Sequence, residues 1–190
     1  MRFKHLIVTA VLGLTVTPAF ADVCVWRDPE QTMTKIFPEA KDYRTVDVRL
    51  TPALQARIET AIARKLTPGE ADSWTYYSLV GAGGKPVGIV LADAEKGEYG
   101  VIEMVMGIDL SGKIRQLYIQ RSRERKAKEL ASPAFLHQFD GKNAADTFEI
   151  GRTVTPVDGA DLASREIAFG VKKMLTFHHE LSNTTKEQKK

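Results

Sequence analysis

The residues whose types and spacing could do chemistry sit late in the chain, in Thr153–Leu175 (TVTPVDGADLASREIAFGVKKML). Asp158-Gly159-Ala160 is a polar, glycine-bearing turn. Asp161 follows where a helix N-cap belongs, its carboxylate able to accept first-turn amide protons. Ile167, Val171, Met174 and Leu175 recur at three- and four-residue spacing, which predicts one buried helical face. A glycine turn opening a helix is a place where phosphate is held, because free amides and the helix dipole both favour an anion. The same residues also read as an ordinary capped helix after an ordinary turn.

A second group is the basic run Arg121–Glu129 (RSRERKAKE). If a strand continues through it, Arg121, Arg123 and Arg125 share the face of Leu117 and Ile119, and could grip a phosphate or carboxylate bidentately. Otherwise the run is a solvated loop. Trp74, Tyr76 and Tyr77 could stack on a planar ligand or fill a core. His137, His178 and His179 are conceivable axial ligands for haem, but no C-x-x-C-H attachment motif accompanies them. No metal-ligand spacing and no nucleophile elbow is present. The turn Gly81–Pro86 (GAGGKP) lacks both the Walker spacing and a following helix, so it reads as a hairpin connection.

The elements that must position these groups can be read in order. Residues 1–21 carry a basic start (Arg2, Lys4), a short apolar core and Ala19-Phe20-Ala21, the pattern of a cleaved secretory signal peptide. That implies an exported, periplasmic protein with no membrane span after cleavage. Residues 22–181 form one domain by length, and 182–190 (SNTTKEQKK) read as a disordered tail. Without Arg2 and Lys4 the 27 basic residues become 25, against 24 acidic, which is no footprint for nucleic acid. The single cysteine, Cys24, allows no internal disulfide. Helices are predicted over 28–36, after Thr51-Pro52 with a Leu54/Ile58/Ile62/Leu66 stripe, and after Ser132-Pro133. Thr67-Pro68-Gly69 is read as the stop of the second. Strands are predicted over 45–50, 73–80, 87–92, 99–108 and 114–120, with a brief extended piece at 147–150. The fold class is α+β, an antiparallel sheet of about four or more strands with flanking helices.

The order of motifs resembles the FMN-binding domain family, found as a periplasmic subunit of Rnf and sodium-pumping quinone reductase complexes and in NosR-type proteins. The matching residues are Phe37-Pro38-Glu39-Ala40, Gly107–Ile114 (GIDLSGKI), Phe135–Lys142 (FLHQFDGK) and Asp158–Ser164 (DGADLAS). The resemblance implies a flavin carrier, an electron-transfer module or accessory that passes electrons between a membrane or cytochrome partner and an acceptor, rather than a stand-alone enzyme. It points to Asp158, Gly159, Ala160, Asp161 and Ser164 as the cofactor-binding turn, with Arg121 and Arg123 as candidate partners for the FMN phosphate. The family's motif carries FMN on a threonine through a phosphoester; here Asp161 holds that position and has no hydroxyl to esterify. Asp158 replaces a hydroxyl residue and Ala163 a serine. The family's Glu-Thr-Pro-Gly loop is absent after the fourth matching strand. The expectation is therefore noncovalent FMN, or a degenerate domain that serves a respiratory or cytochrome system as a binding or assembly partner.

Overall fold

The computed structural model describes residues 29–187. The leader, Cys24 and the Asp28 cap lie outside the described residues. Five strands, β1 (Asp42–Arg49), β2 (Ser73–Val80), β3 (Pro86–Lys96), β4 (Val101–Asp109) and β5 (Ile114–Arg121), form one antiparallel sheet in that order. Helices α1 (Pro29–Ile36), α2 (Pro52–Ile62), α3 (Pro68–Asp72), α4 (Ala127–Leu130), α5 (Pro133–Leu136) and α6 (Asp161–Glu187) flank it. This is the α+β architecture expected. No helix among the described residues is long and apolar enough to cross a membrane.

The two faces of the sheet are covered differently. Leu91, Ile102, Met104, Met106, Ile108 and Leu117 pack beneath α6 and α2, against Ile167, Val171, Met174, Leu175, Leu54 and Ile58. The opposite face, Leu79, Val90 and Val105, is covered by Met33 and Ile36 of α1 and by Phe37 just after it. Two glycines permit that second approach. A Cβ on Gly88 would stand 2.7 Å from the Ile108 carbonyl oxygen and closer still to the Phe37 ring. A Cβ on Gly107 would meet Phe37 Cε2 at 2.8 Å and Ile36 closer still. Contacts that tight do not occur between real atoms, so α1 reaches the sheet only because these strand positions lack side chains.

Local chemistry explains the element boundaries. Thr51 Oγ1 accepts from Leu54 N at 3.2 Å and Pro52 opens the first turn of α2. That helix closes at Ala63, in the left-handed region at φ 54°. Thr67-Pro68-Gly69 is therefore not the stop of α2; it starts α3, through a capping box in which Thr67 and Glu70 satisfy each other's free amides. β3 runs on to Lys96, past the predicted end at Ala92, because Asp93 and Glu95 point inward rather than to water. β5 stops at Arg121, so Arg123 and Arg125 belong to a loop and not to a strand face. α6 continues to Glu187, through most of the stretch whose composition suggests a disordered tail. Arg57 of α2 holds it there, its guanidinium donating to Glu180 at 2.8 Å and to Thr184 Oγ1 at 2.9 Å.

Candidate functional site

The turn before α6 is built from its own residues. Ala160 N donates to Val157 O at 3.0 Å, and Gly159 supplies the positive φ of 71° that closes the turn. Asp161 is the first helical residue rather than the cap. Ser164 is fully buried and ties the turn to the helix instead: its Oγ accepts from Val157 N at 3.0 Å. The first helical hydrogen bond runs from Ser164 N to Ala160 O, so the amides of Asp161, Leu162 and Ala163 precede the ladder. Asp158, Gly159 and Asp161 are exposed, whereas Ala160 is buried. Upstream, Gln138 holds the incoming chain, donating to Thr155 O at 3.1 Å and accepting from Thr155 N at 2.8 Å. Substituting Ser164→Ala strands the Val157 amide and is expected to cost about 1–3 kcal/mol, read as a shifted midpoint in urea unfolding.

The arginines do not converge on this turn. Arg121 donates to Glu103 in a short ion pair, and Glu103 is 1% exposed on the α1 face of the sheet, opposite α6. Arg123 is exposed in the loop beside Gly100. Arg125 lies over the Tyr99 ring, 4.7 Å from its centroid. The loop is anchored by Glu124, buried, accepting from Tyr99 N at 2.9 Å. The aromatic candidates are structural as well. Trp74 stacks on Phe177 at 4.5 Å and donates to Glu70 O at 2.8 Å. Tyr76 packs on the α6 side, while Tyr77 meets Tyr43 edge-on at 5.7 Å on the α1 side. A cavity of about 260 Å³ lies between α1, β1 and β2, and its lining includes Met33, Thr34, Tyr43 and Leu79 but no residue of the turn.

The densest chemistry lies elsewhere, and sequence reasoning missed it. Lys173, halfway along α6 and 3% exposed, meets three carboxylates. Glu70 of α3 makes the shortest contact, Glu95 Oε1 stands 2.6 Å away and Asp93 Oδ1 3.1 Å. Arg64, after α2, grips Glu166 at 2.8 Å and reaches Glu95 at 3.9 Å. Its guanidinium also lies 3.5 Å over the Phe169 ring. One ammonium serves three acids, so burial dominates for the two on β3. Asp93 is pushed up to about 6 by burial, against the pull of Lys173. Glu95 is pushed up to about 7 by burial and by the neighbouring Asp93 charge. Burial opposes the charge on Lys173, yet the Asp93, Glu95 and Glu70 carboxylates together hold it above the ordinary lysine range. Glu70 remains below the usual carboxylate range despite burial, because Lys173 and Thr67 serve it directly. Gly170 gives β3 room: a Cβ there would sit 3.1 Å from Glu95 Cγ and 3.2 Å from Asp93 Oδ2. The sequence signal was Lys173 itself, one turn from Phe169, Gly170 and Phe177.

The histidines form no ligand set. His137 Nδ1 lies 2.6 Å from Asp140 Oδ2, and burial pushes His178 down. Among the described residues no group of three or more His, Cys, Asp and Glu side chains is arranged to hold a metal ion.

The residues of the α6 turn do not fit covalent FMN. Asp161 offers no hydroxyl, and the hydroxyl of Ser164 is buried and committed to Val157 N. Among the described residues no basic side chain makes an ion pair with Asp158 or Asp161, which leaves two exposed carboxylates in the turn where an anion would sit. No protein-family model matches the chain, and no curated protein matches it in sequence. The solved structure of Shewanella oneidensis NqrC is similar in fold, with a TM-score of 0.51 and 13% identity, over 78% of this chain and 87% of that one.

Proposed function

We propose that the chain is an exported accessory domain of a membrane or cytochrome redox system, built on the FMN-binding-domain fold and lacking the covalent flavin link. The four motifs that resemble that family support the reading, as does the fold likeness to NqrC over most of both chains. The observation that carries it is the α6 turn, whose backbone frame is complete while its chemistry is altered: an exposed carboxylate at 161 and a buried, hydrogen-bonded hydroxyl at 164. An acceptor-only carboxylate cannot supply the oxygen nucleophile that a phosphoester bond needs. Binding and assembly need the fold but no redox group in the turn.

A second reading, electron transfer through noncovalent FMN, is favoured by one observation. The amides of Asp161, Leu162 and Ala163 stand before the helical ladder at an exposed turn, and would hold the FMN phosphate. When bound, the flavin would supply one- and two-electron chemistry. The visible spectrum of protein purified from a flavin-replete host, before and after acid precipitation, separates the readings. The expected result is a colourless protein that gains no flavin absorbance on addition of FMN. Colour released into the acid supernatant moves the assignment to the noncovalent carrier, and colour kept in the pellet overturns both readings.

A further inference from the structure

The buried charges under α6 do not balance. Four carboxylates from three elements share this cluster: Asp93 and Glu95 from β3, Glu70 from α3 and Glu166 from α6. Among the described residues, Lys173 of α6 and Arg64 after α2 are the cations that pair with them. With every group ionised, two uncompensated negative charges would remain beneath the helix, in a medium that penalises them heavily. The geometry shows where the relief lies. Asp93 and Glu95 are alternate residues on one face of β3, 7% and 8% exposed. Asp93 Oδ2 is buried with no hydrogen-bond partner, and Glu95 Oε1, though 2.6 Å from the ammonium, takes no aligned hydrogen bond. Each lacks a donor, and a proton on the pair would supply one.

We propose that Asp93 and Glu95 together form a proton-binding site, and that its proton fastens the first half of α6 to β3, so that the turn at the start of that helix loosens when the proton leaves. The seat of the helix supports this. Gly170 brings the α6 backbone down onto these two side chains, and Lys173 is one turn further along the same face. The far half of α6 is held independently by Arg57 at Glu180 and Thr184. Loosening therefore falls on residues 161–173. The upward shifts of Asp93, to about 6, and of Glu95, to about 7, put the change near neutrality. The sign follows from linkage. The folded state holds protons that the unfolded state has already released, so stability falls as pH rises through those values. The proposal does not depend on flavin.

The test uses the full chain without added flavin. Side-chain carboxyl carbon shifts of Asp93 and Glu95, assigned by through-bond correlation to the backbone and checked with Asp93→Asn and Glu95→Gln, are followed by NMR against pH. Amide hydrogen exchange along α6 is measured in parallel and corrected for intrinsic rates. Both carboxyls are expected to titrate well above ordinary carboxylates. Protection of amides 165–173 is expected to fall by about tenfold, the equivalent of one pKa unit, between about pH 6 and about pH 8.5, while amides 176–184 change little. In Glu95→Gln the fall disappears. Ordinary titration of both carboxyls, or a uniform change along the whole helix, overturns the proposal. If the variants do not fold, the wild-type titration and the regional exchange pattern still decide it.

Discussion

Replacing Lys173 with methionine is expected to destabilise the fold by about 3–5 kcal/mol at pH 8, the usual consequence of removing one partner from a buried charge group. Methionine nearly matches the length of the lysine stem and keeps its packing near the Phe169 and Trp74 rings. The loss therefore reports charge rather than volume. It leaves Glu70, Asp93 and Glu95 facing one another with Arg64 as the nearest cation. Their folded-state pKa values should then climb further, and the folded variant should bind protons that its unfolded chain does not. Its stability must rise as pH falls from 8 towards the unfolded carboxylate values, so the deficit against wild type should shrink at pH 5. Urea unfolding at the two pH values measures both numbers. A deficit below about 1 kcal/mol at pH 8 would mean that water already solvates these groups.

The second large effect belongs to the other face of the sheet. Gly88→Ala should cost about 3 kcal/mol, at the upper end for overpacking. One atom it strikes, the Ile108 carbonyl oxygen, is part of the β3–β4 ladder and cannot rotate aside. The other is the fully buried Phe37 ring. The clash should be relieved in part by Phe37→Leu, which removes the ring. The two substitutions should therefore couple, with a double-mutant interaction energy above about 0.5 kcal/mol. Additive losses would show that α1 has shifted as a body instead of pressing on Gly88.

These effects divide along the line between what the sequence made legible and what it hid. The α2 stripe, the bounds of β2 and the helix from 161 were readable, because apolar spacing and capping residues act over a few neighbours. The end of β3 was hidden. Alternating Asp93 and Glu95 is the signature of a solvent face, and only a lysine 78 or more positions later turns it inward. Arg121 leaves the face of Leu117 and Ile119 for another reason: the β4–β5 register shifts between Ile119 and Arg121, which breaks the alternation and sets Arg121 opposite Glu103. Asp161 is read as the cap from its type, yet it is the first residue of the helix, while the Ser164 hydroxyl is spent on the Val157 amide of the turn. The tail was misread because composition favours disorder, whereas Arg57, more than a hundred residues earlier, ties it down.

The long final helix has a consequence for the order in which the molecule can form. α6 alone provides Ile167, Ala168, Val171, Met174, Leu175 and Phe177 to the larger core, and its ties to Arg57 and Arg64 span 102 to 127 residues. A ribosome that has made everything up to residue 160 has made all five strands, yet one face of their sheet has α2 on it and still lacks the cover of α6. Closure of such distant contacts is slow, because the loop entropy comes first and the reward last. The nascent chain should therefore remain open to proteases and chaperones until its last turns emerge, and then complete its core in a single late step.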